Sequence, residues 1–234
     1  MKEEIITEEK IEHQGLGSSL KNILFKPSAA FKGANFKGII IFTIIMMLVG
    51  GLLAGWTGVS FITQNPEVPL DEVREMEGMT EESLADVEEL MTSETMSMVI
   101  SISIAVGSVL GIYVGWLIKG GILTLAFNLM GGEAKYSKTL GVLGLAWIPF
   151  FLREIVRSAW YISTGEMAAT ASLLHNHADI FVLWNVLLLI FAFSAVCGLS
   201  KKKTAAAVLG YQALNIVLNL GLSSFNNMFT GGIM

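Results

Sequence analysis

The chain has 234 residues, of which 53% are hydrophobic and only 15% charged, with a formal net charge of −5. A soluble domain carries about 25% charged residues, and here they are clustered: residues 1–37 hold 11 of the 35, residues 62–95 hold 12, and the other 163 residues share 12. This excludes an ordinary soluble enzyme, a disordered chain and a disulfide scaffold, and leaves a polytopic α-helical membrane protein. Cys197 is the single cysteine, so no intramolecular disulfide is possible. The negative balance arises mainly in one loop, so no nucleic-acid partner is expected.

Residues 1–16 are polar and acid-rich, without the apolar core of a secretory signal. Residues 17–37 interleave Lys21, Lys26, Lys32 and Lys37 with Leu20, Ile23, Leu24, Phe25, Phe31 and Phe36. Such a segment is expected to lie in the anionic headgroups of the inner leaflet. Ser18 or Ser19 is the expected N-cap of a short helix ending before Pro27, and Ser28 the cap of another.

The first span is read at 38–62, 25 uncharged residues stopped by Pro66. Residues 63–95 hold 11 acids and only Arg74 as a base. Leu70, Val73 and Glu77, then Leu84, Val87, Leu90 and Met91, suggest two amphipathic helices there. Thr80 is the expected cap of the second. The second span covers 96–130, with Lys119 the one charge inside it. It is either one helix or a helix broken at Gly120-Gly121, with Lys119 snorkelling to headgroups.

The third span, 139–163, has Pro149 near its middle. The fourth is 180–199. Lys201, Lys202 and Lys203 form a turn, the fifth span is 204–225, and 226–234 is a short tail. With the N-terminus inside, the inner segments carry Lys21, Lys26, Lys32, Lys37, Lys135, Lys138 and Lys201 to Lys203. The outer loops between spans then carry only Arg74, so the basic-residue bias predicts N-in, C-out.

The order of these segments resembles the Yip1 domain family of five-span membrane proteins. The resemblance rests on Phe25, Pro27 and Phe31 before span one, and on Gly131, Gly132, Tyr136, Ile148 and Pro149 between spans two and three. The hairpin LWNVLLLIFAFSAVCGLSKKKTAAAV adds to it. It covers about residues 20–225. It implies a non-enzymatic protein of membrane organisation or trafficking-like partner binding, prokaryotic in type and sited in the cell membrane. Eukaryotic relatives bind Rab-type GTPases through a longer cytosolic region. The resemblance supplies no catalytic residue and no cofactor.

Several residues are candidates for more than packing. Arg153, Glu154 and Arg157 fall in the middle to outer half of span three, on neighbouring strips of one helix. A charge there costs roughly 2.5–3.5 kcal/mol on insertion scales, so each needs a partner or water. They form either an anion, proton or hydrated site, or a local ion pair with one arginine reaching outer headgroups. Gln212, Asn215 and Asn219 recur at helical spacing in span five, beside Tyr211, with Asn185 in span four. They serve as interhelical hydrogen-bonding groups or as the far wall of a polar cavity facing Arg153 and Glu154.

Gly51 and Gly55 in span one, and Gly107, Gly111 and Gly115 in span two, repeat every four residues. They are expected to pack the two spans together, with a homodimer face as the alternative. His175, Asn176, His177 and Asp179 lack the further ligands of a metal site, so none is expected. The acidic loop lacks the EF-hand ligand pattern. No nucleotide-binding or hydrolase motif occurs.

The leading expectation is therefore a non-enzymatic membrane organiser. Its contacts lie in 17–37, in 131–138 and at Lys201, Lys202 and Lys203. Its partners are inner-leaflet lipids and another membrane protein or a second copy. The alternative is a small-solute or ion pathway through Arg153, Glu154, Arg157, Gln212, Asn215 and Asn219.

Overall fold

The computed structural model describes residues 15–25, 30–31, 34–64, 80, 83, 86, 89, 93–166 and 179–230. Among the described residues seven helices follow one another: α1 Leu16–Phe25, α2 Phe36–Gln64, α3 Glu94–Leu129, α4 Tyr136–Ala146, α5 Ile148–Thr164, α6 Ile180–Cys197 and α7 Lys201–Thr230. Four stretches among the described residues are long and apolar enough to cross a membrane: Phe36–Gln64, Thr95–Leu129, the α4–α5 pair Tyr136–Thr164, and Ile180–Cys197. The protein is thus an all-helical membrane protein. α7 is equally long, at 30 residues.

α3 is one unbroken helix of 36 residues, so the Gly120-Gly121 pair does not interrupt it. Its length, about 54 Å, exceeds a hydrocarbon thickness of about 30 Å. It therefore overshoots or tilts. Ile102, Val106, Leu110, Val114, Ile118 and Leu125 on it are all exposed, a surface suited to lipid.

Span three is split at Trp147. Pro149 has no N–H to bond the carbonyl four residues back, and its ring crowds that carbonyl. α4 therefore ends at Ala146, and α5 restarts with the proline in its first turn. Asn185 of α6 donates its amide to the Ala146 carbonyl, at the end of α4 where a helix leaves carbonyls open. This is the interhelical use expected of Asn185.

Close backbone approach fixes α2 against its neighbours. A Cβ on Gly51 would meet Val109 of α3, and one on Gly55 would meet Ala105. Gly50 lies against Trp147, Gly141 against Phe36, and Gly144 against Thr43. The span-two glycines correct the packing expectation: a Cβ on Gly107, Gly111 or Gly115 would meet nothing within 4 Å. The repeat marked a smooth face, but that face is turned away from α2. Polar clasps add to the packing. The Tyr113 hydroxyl donates to the Ile44 carbonyl at 2.6 Å, and Trp116 Nε1 donates to the Leu140 carbonyl at 3.1 Å. The hydroxyls of Thr57 and Ser158 lie 2.9 Å apart between α2 and α5.

The end of the bundle where α3 leads into α4 is tied by side chain–backbone bonds. Asn128 both donates to the Ala134 carbonyl (3.1 Å) and accepts from its N–H (2.8 Å). Phe127 meets Phe193 with ring centroids 4.5 Å apart. α1 begins at Leu16, one turn earlier than a cap at Ser18 or Ser19 would place it. The Gly15 carbonyl accepts the Ser19 N–H, Ser18 donates its hydroxyl to the same carbonyl, and Ser19 is buried. Ile23, Ala30 and Phe31 enter the core while Lys21 and Lys37 stay exposed. The apolar side of this segment thus meets the bundle.

Thr80 caps as expected, accepting the Ser83 N–H at 3.2 Å. Lys26, Pro27, Ser28, Lys32, Pro66, Leu70, Val73, Arg74, Glu77, Leu84, Val87, Leu90, Met91 and the His175 to His177 segment lie outside the described residues.

Gly144→Ala should lower unfolding stability in detergent by about 1–3 kcal/mol, because the added methyl overlaps Thr43. Gly107→Ala, with open space at the same kind of helical position, should be neutral or gain up to about 1 kcal/mol. Equal effects of the two in denaturant titrations would contradict the packing described.

Candidate functional site: a polar cavity within the bundle

A cavity of about 340 Å³ opens between the helices, and every long helix contributes to it. α2 supplies Met47. α3 supplies Gly111, Ile112, Gly115, Trp116 and Lys119, one face repeating every three or four residues. Leu143 of α4 and Trp147 at the break precede Phe150 and Arg153 of α5. Val182 and Asn185 of α6 and Tyr211, Gln212 and Asn215 of α7 complete it. The volume falls in the ordinary range of ligand pockets, about 300–1,000 Å³. Bare glycine on α3 leaves the space that side chains would fill.

Two of the lining side chains are cationic, and they are satisfied very differently. Arg153 donates through Nη1 to Asp179 Oδ2 at 3.1 Å, and its Nε lies 3.5 Å from Glu154 Oε1. Glu154 is also 3.6 Å from Arg157 Nη1. Two cations and two anions thus close a neutral chain between α5 and the start of α6. The side chains of Arg153, Glu154 and Asp179 are 22%, 14% and 16% exposed, which limits screening of the pairs by solvent. The Arg153 guanidinium also lies 5.0 Å from the centre of the Phe150 ring. Lys119 has a different setting. Its ammonium sits 5.2 Å from the centre of the Tyr211 ring, and among the described residues it has neither an ion pair nor a hydrogen bond.

The structure therefore brings Arg153, Gln212 and Asn215 to one cavity. Glu154 and Arg157 stand beside it as the counter-charges of Arg153 and of each other. Asn219 is exposed and turns back on its own helix, donating to the Asn215 carbonyl at 2.8 Å. Lys201, Lys202 and Lys203, expected to form a turn, are instead the exposed first residues of α7, because the chain reverses at Gly198, whose φ is +66°. Lys203 donates to the Met130 carbonyl at 3.0 Å, and Lys201 lies over Phe191. Among the described residues there is no group of His, Cys, Asp and Glu able to hold a metal.

Two site residues lie outside the sequence-level set. Asp179 was weighed only as a poor metal ligand, yet it pairs with Arg153 and caps α6 through Oδ1, which accepts the Val182 N–H at 2.7 Å. An Asp directly before an apolar run signals that cap. Lys119 was read as reaching for headgroups, and only the rotation of α3 places it toward Tyr211.

Four stretches long and apolar enough to cross a membrane, packed as one helical bundle, define a polytopic α-helical membrane protein. The family model of the Yip1 domain matches residues 21–222. The chain belongs to the Yip1 domain family. No curated protein and no solved structure matches it.

Asp179→Asn keeps the cap but removes the charge facing Arg153, and should lower stability by about 1.5–3 kcal/mol. Asp179→Ala loses the cap as well and should cost about 1 kcal/mol more. In an Arg153→Met background the Asn effect should shrink to near zero. A double-mutant cycle with no coupling would contradict the pairing.

Proposed function

We propose that the chain is a non-enzymatic membrane organiser that works by binding, and that its central cavity receives a ligand. The observation that carries this reading is the cavity itself, where Arg153, Asn185, Gln212 and Asn215 converge with Lys119 inside an otherwise apolar bundle. Polar groups within hydrocarbon are costly, so their convergence around an open volume fits occupancy by water or a polar ligand. Family membership supports a binding role at the inner face, through residues 17–37, 131–138 and Lys201 to Lys203. The reading assigns no catalytic step.

We further infer five spans, with α7 as the fifth, and an N-in, C-out topology in the cell membrane of a prokaryote. α7 is about 45 Å long at 1.5 Å per residue, and it packs on both α6 and α3. The basic-residue bias supports the orientation. In a Cys197→Ala background, Lys202→Cys should react with an impermeant thiol reagent only from the inside. Gly232→Cys should react only from the outside. Labelling of both from one side would overturn the five-span topology.

A solute pathway is a second reading, favoured by the polar contribution of several helices to one cavity. The pairing of Arg153 with Glu154 and Asp179, and of Glu154 with Arg157, argues against it, because a neutralised cluster offers a passing ion no free charge. Arg153→Leu with Glu154→Leu should leave crosslinked capture of a membrane partner unchanged. Solute flux in proteoliposomes that the same change abolishes would establish the pathway instead.

A further inference from the structure

We propose that the cavity is an oxyanion site anchored by Lys119, suited to the phosphate or carboxylate head of an amphiphile whose apolar body lies along the aromatic wall. The inference rests on the ligand-cavity reading above and gives its occupant a chemical class.

The argument begins with charge. At the Arg153 end, each cation has an anion at 3.1–3.6 Å, and the cluster sums to zero. Lys119 has no such partner among the described residues, and the cavity lining contains no carboxylate at all. The lining as a whole is therefore cationic. A cation of this kind within an apolar bundle is costly unless an anion or water meets it. The Tyr211 ring supplies only part of that, because cation–π attraction is worth less than a charge-assisted hydrogen bond.

The second element is donor capacity. Gln212 and Asn215 bring amide N–H groups to the same cavity. Arg153 Nε is buried without a hydrogen bond, but it faces Glu154 Oε1 at 3.5 Å. The Lys119 ammonium donates and cannot accept, and the amides beside it can donate too, a set that suits a ligand with acceptor oxygens such as an oxyanion.

The third element is the apolar wall. Trp116, Trp147 and Phe150 line the same space. An inorganic anion would leave that surface uncovered, whereas a chain attached to the anion would cover it.

The test uses the full chain in nanodiscs of phosphatidylcholine and reads its tryptophan fluorescence. Brominated phosphatidylglycerol, brominated phosphatidylcholine and inorganic phosphate are the probes. Brominated phosphatidylglycerol should quench a saturable component that brominated phosphatidylcholine does not. Lys119→Gln should weaken that component about tenfold, and Lys119→Arg should retain it. Gly115→Leu, which projects a side chain into the cavity, should abolish it with every surface lysine intact. Competition by millimolar phosphate would mean that the head alone is recognised and that a soluble oxyanion is a competent ligand. No competition would assign the site to the lipid, and either result supports an oxyanion site. Equal saturable quenching by the two lipids, unchanged in Lys119→Gln but lost in Gly115→Leu, would overturn the oxyanion inference and leave a neutral-ligand cavity standing. Quenching unaffected by Gly115→Leu would overturn both.

Discussion

Charge inside hydrocarbon must be matched, and the packing of α5 on α6 is arranged around that constraint. Arg153 cannot lie in an apolar bundle unaccompanied, so it is met by Glu154 from its own helix and by Asp179 from the next. The second contact does more than neutralise. Asp179 is also the N-cap of α6, so one carboxylate fixes where that helix starts and how it stands against α5. One oxygen takes the backbone N–H of Val182 and the other takes the guanidinium. Removing Arg153 would leave half of that arrangement intact, whereas removing Asp179 would undo both halves.

The break in span three is the second determinant. Pro149 ends the regular hydrogen bonding of α4, and the Ala146 carbonyl at its end is taken by Asn185. Each interhelical hydrogen bond in a membrane is worth only about 0.6 kcal/mol on average, so no single clasp holds the bundle. The bonds instead choose between rotations of helices whose apolar surfaces are otherwise interchangeable. Trp116 to Leu140, Tyr113 to Ile44 and Asn185 to Ala146 set the azimuths of α3 and α6 against the α2–α4 pair. Those azimuths decide that Gly111, Gly115 and Lys119 face the cavity.

This division explains what the sequence disclosed. Apolar runs are long, uninterrupted and bounded by charge, so the four strongly apolar membrane stretches were legible to within a few residues at most ends. The mutual proximity of Arg153, Glu154 and Arg157 was legible because it is local to one helix. Asp179 was not legible as a partner of Arg153, because it lies 26 residues away along the chain. The four-residue glycine repeats announced smooth helix faces, but not what those faces would meet. Gly51 and Gly55 fit against Val109 and Ala105, one step round α3 from its own glycines. Rotation of an apolar helix is set by neighbours rather than by its own sequence, and Lys119 was misread for the same reason.

That the cavity stays open also follows from packing. Lipid tails are as apolar as the helices, so the hydrophobic effect that closes voids in soluble proteins does not drive these helices together. Close approach needs small residues on both sides, and it occurs where α2 meets α3. On the opposite side of α3, Gly111 and Gly115 are small, but across from them stand Trp147, Phe150 and Tyr211. None of those side chains reaches the space in front of the two glycines, where an added Cβ would meet nothing within 4 Å. The gap of about 340 Å³ has room for about ten waters at roughly 30 Å³ each. An acyl tail could fill that volume, but it would leave the Lys119 ammonium without an acceptor. A polar head with an apolar chain satisfies both parts of the lining, so bare glycine leaves the space and the side chains around it constrain what can occupy it.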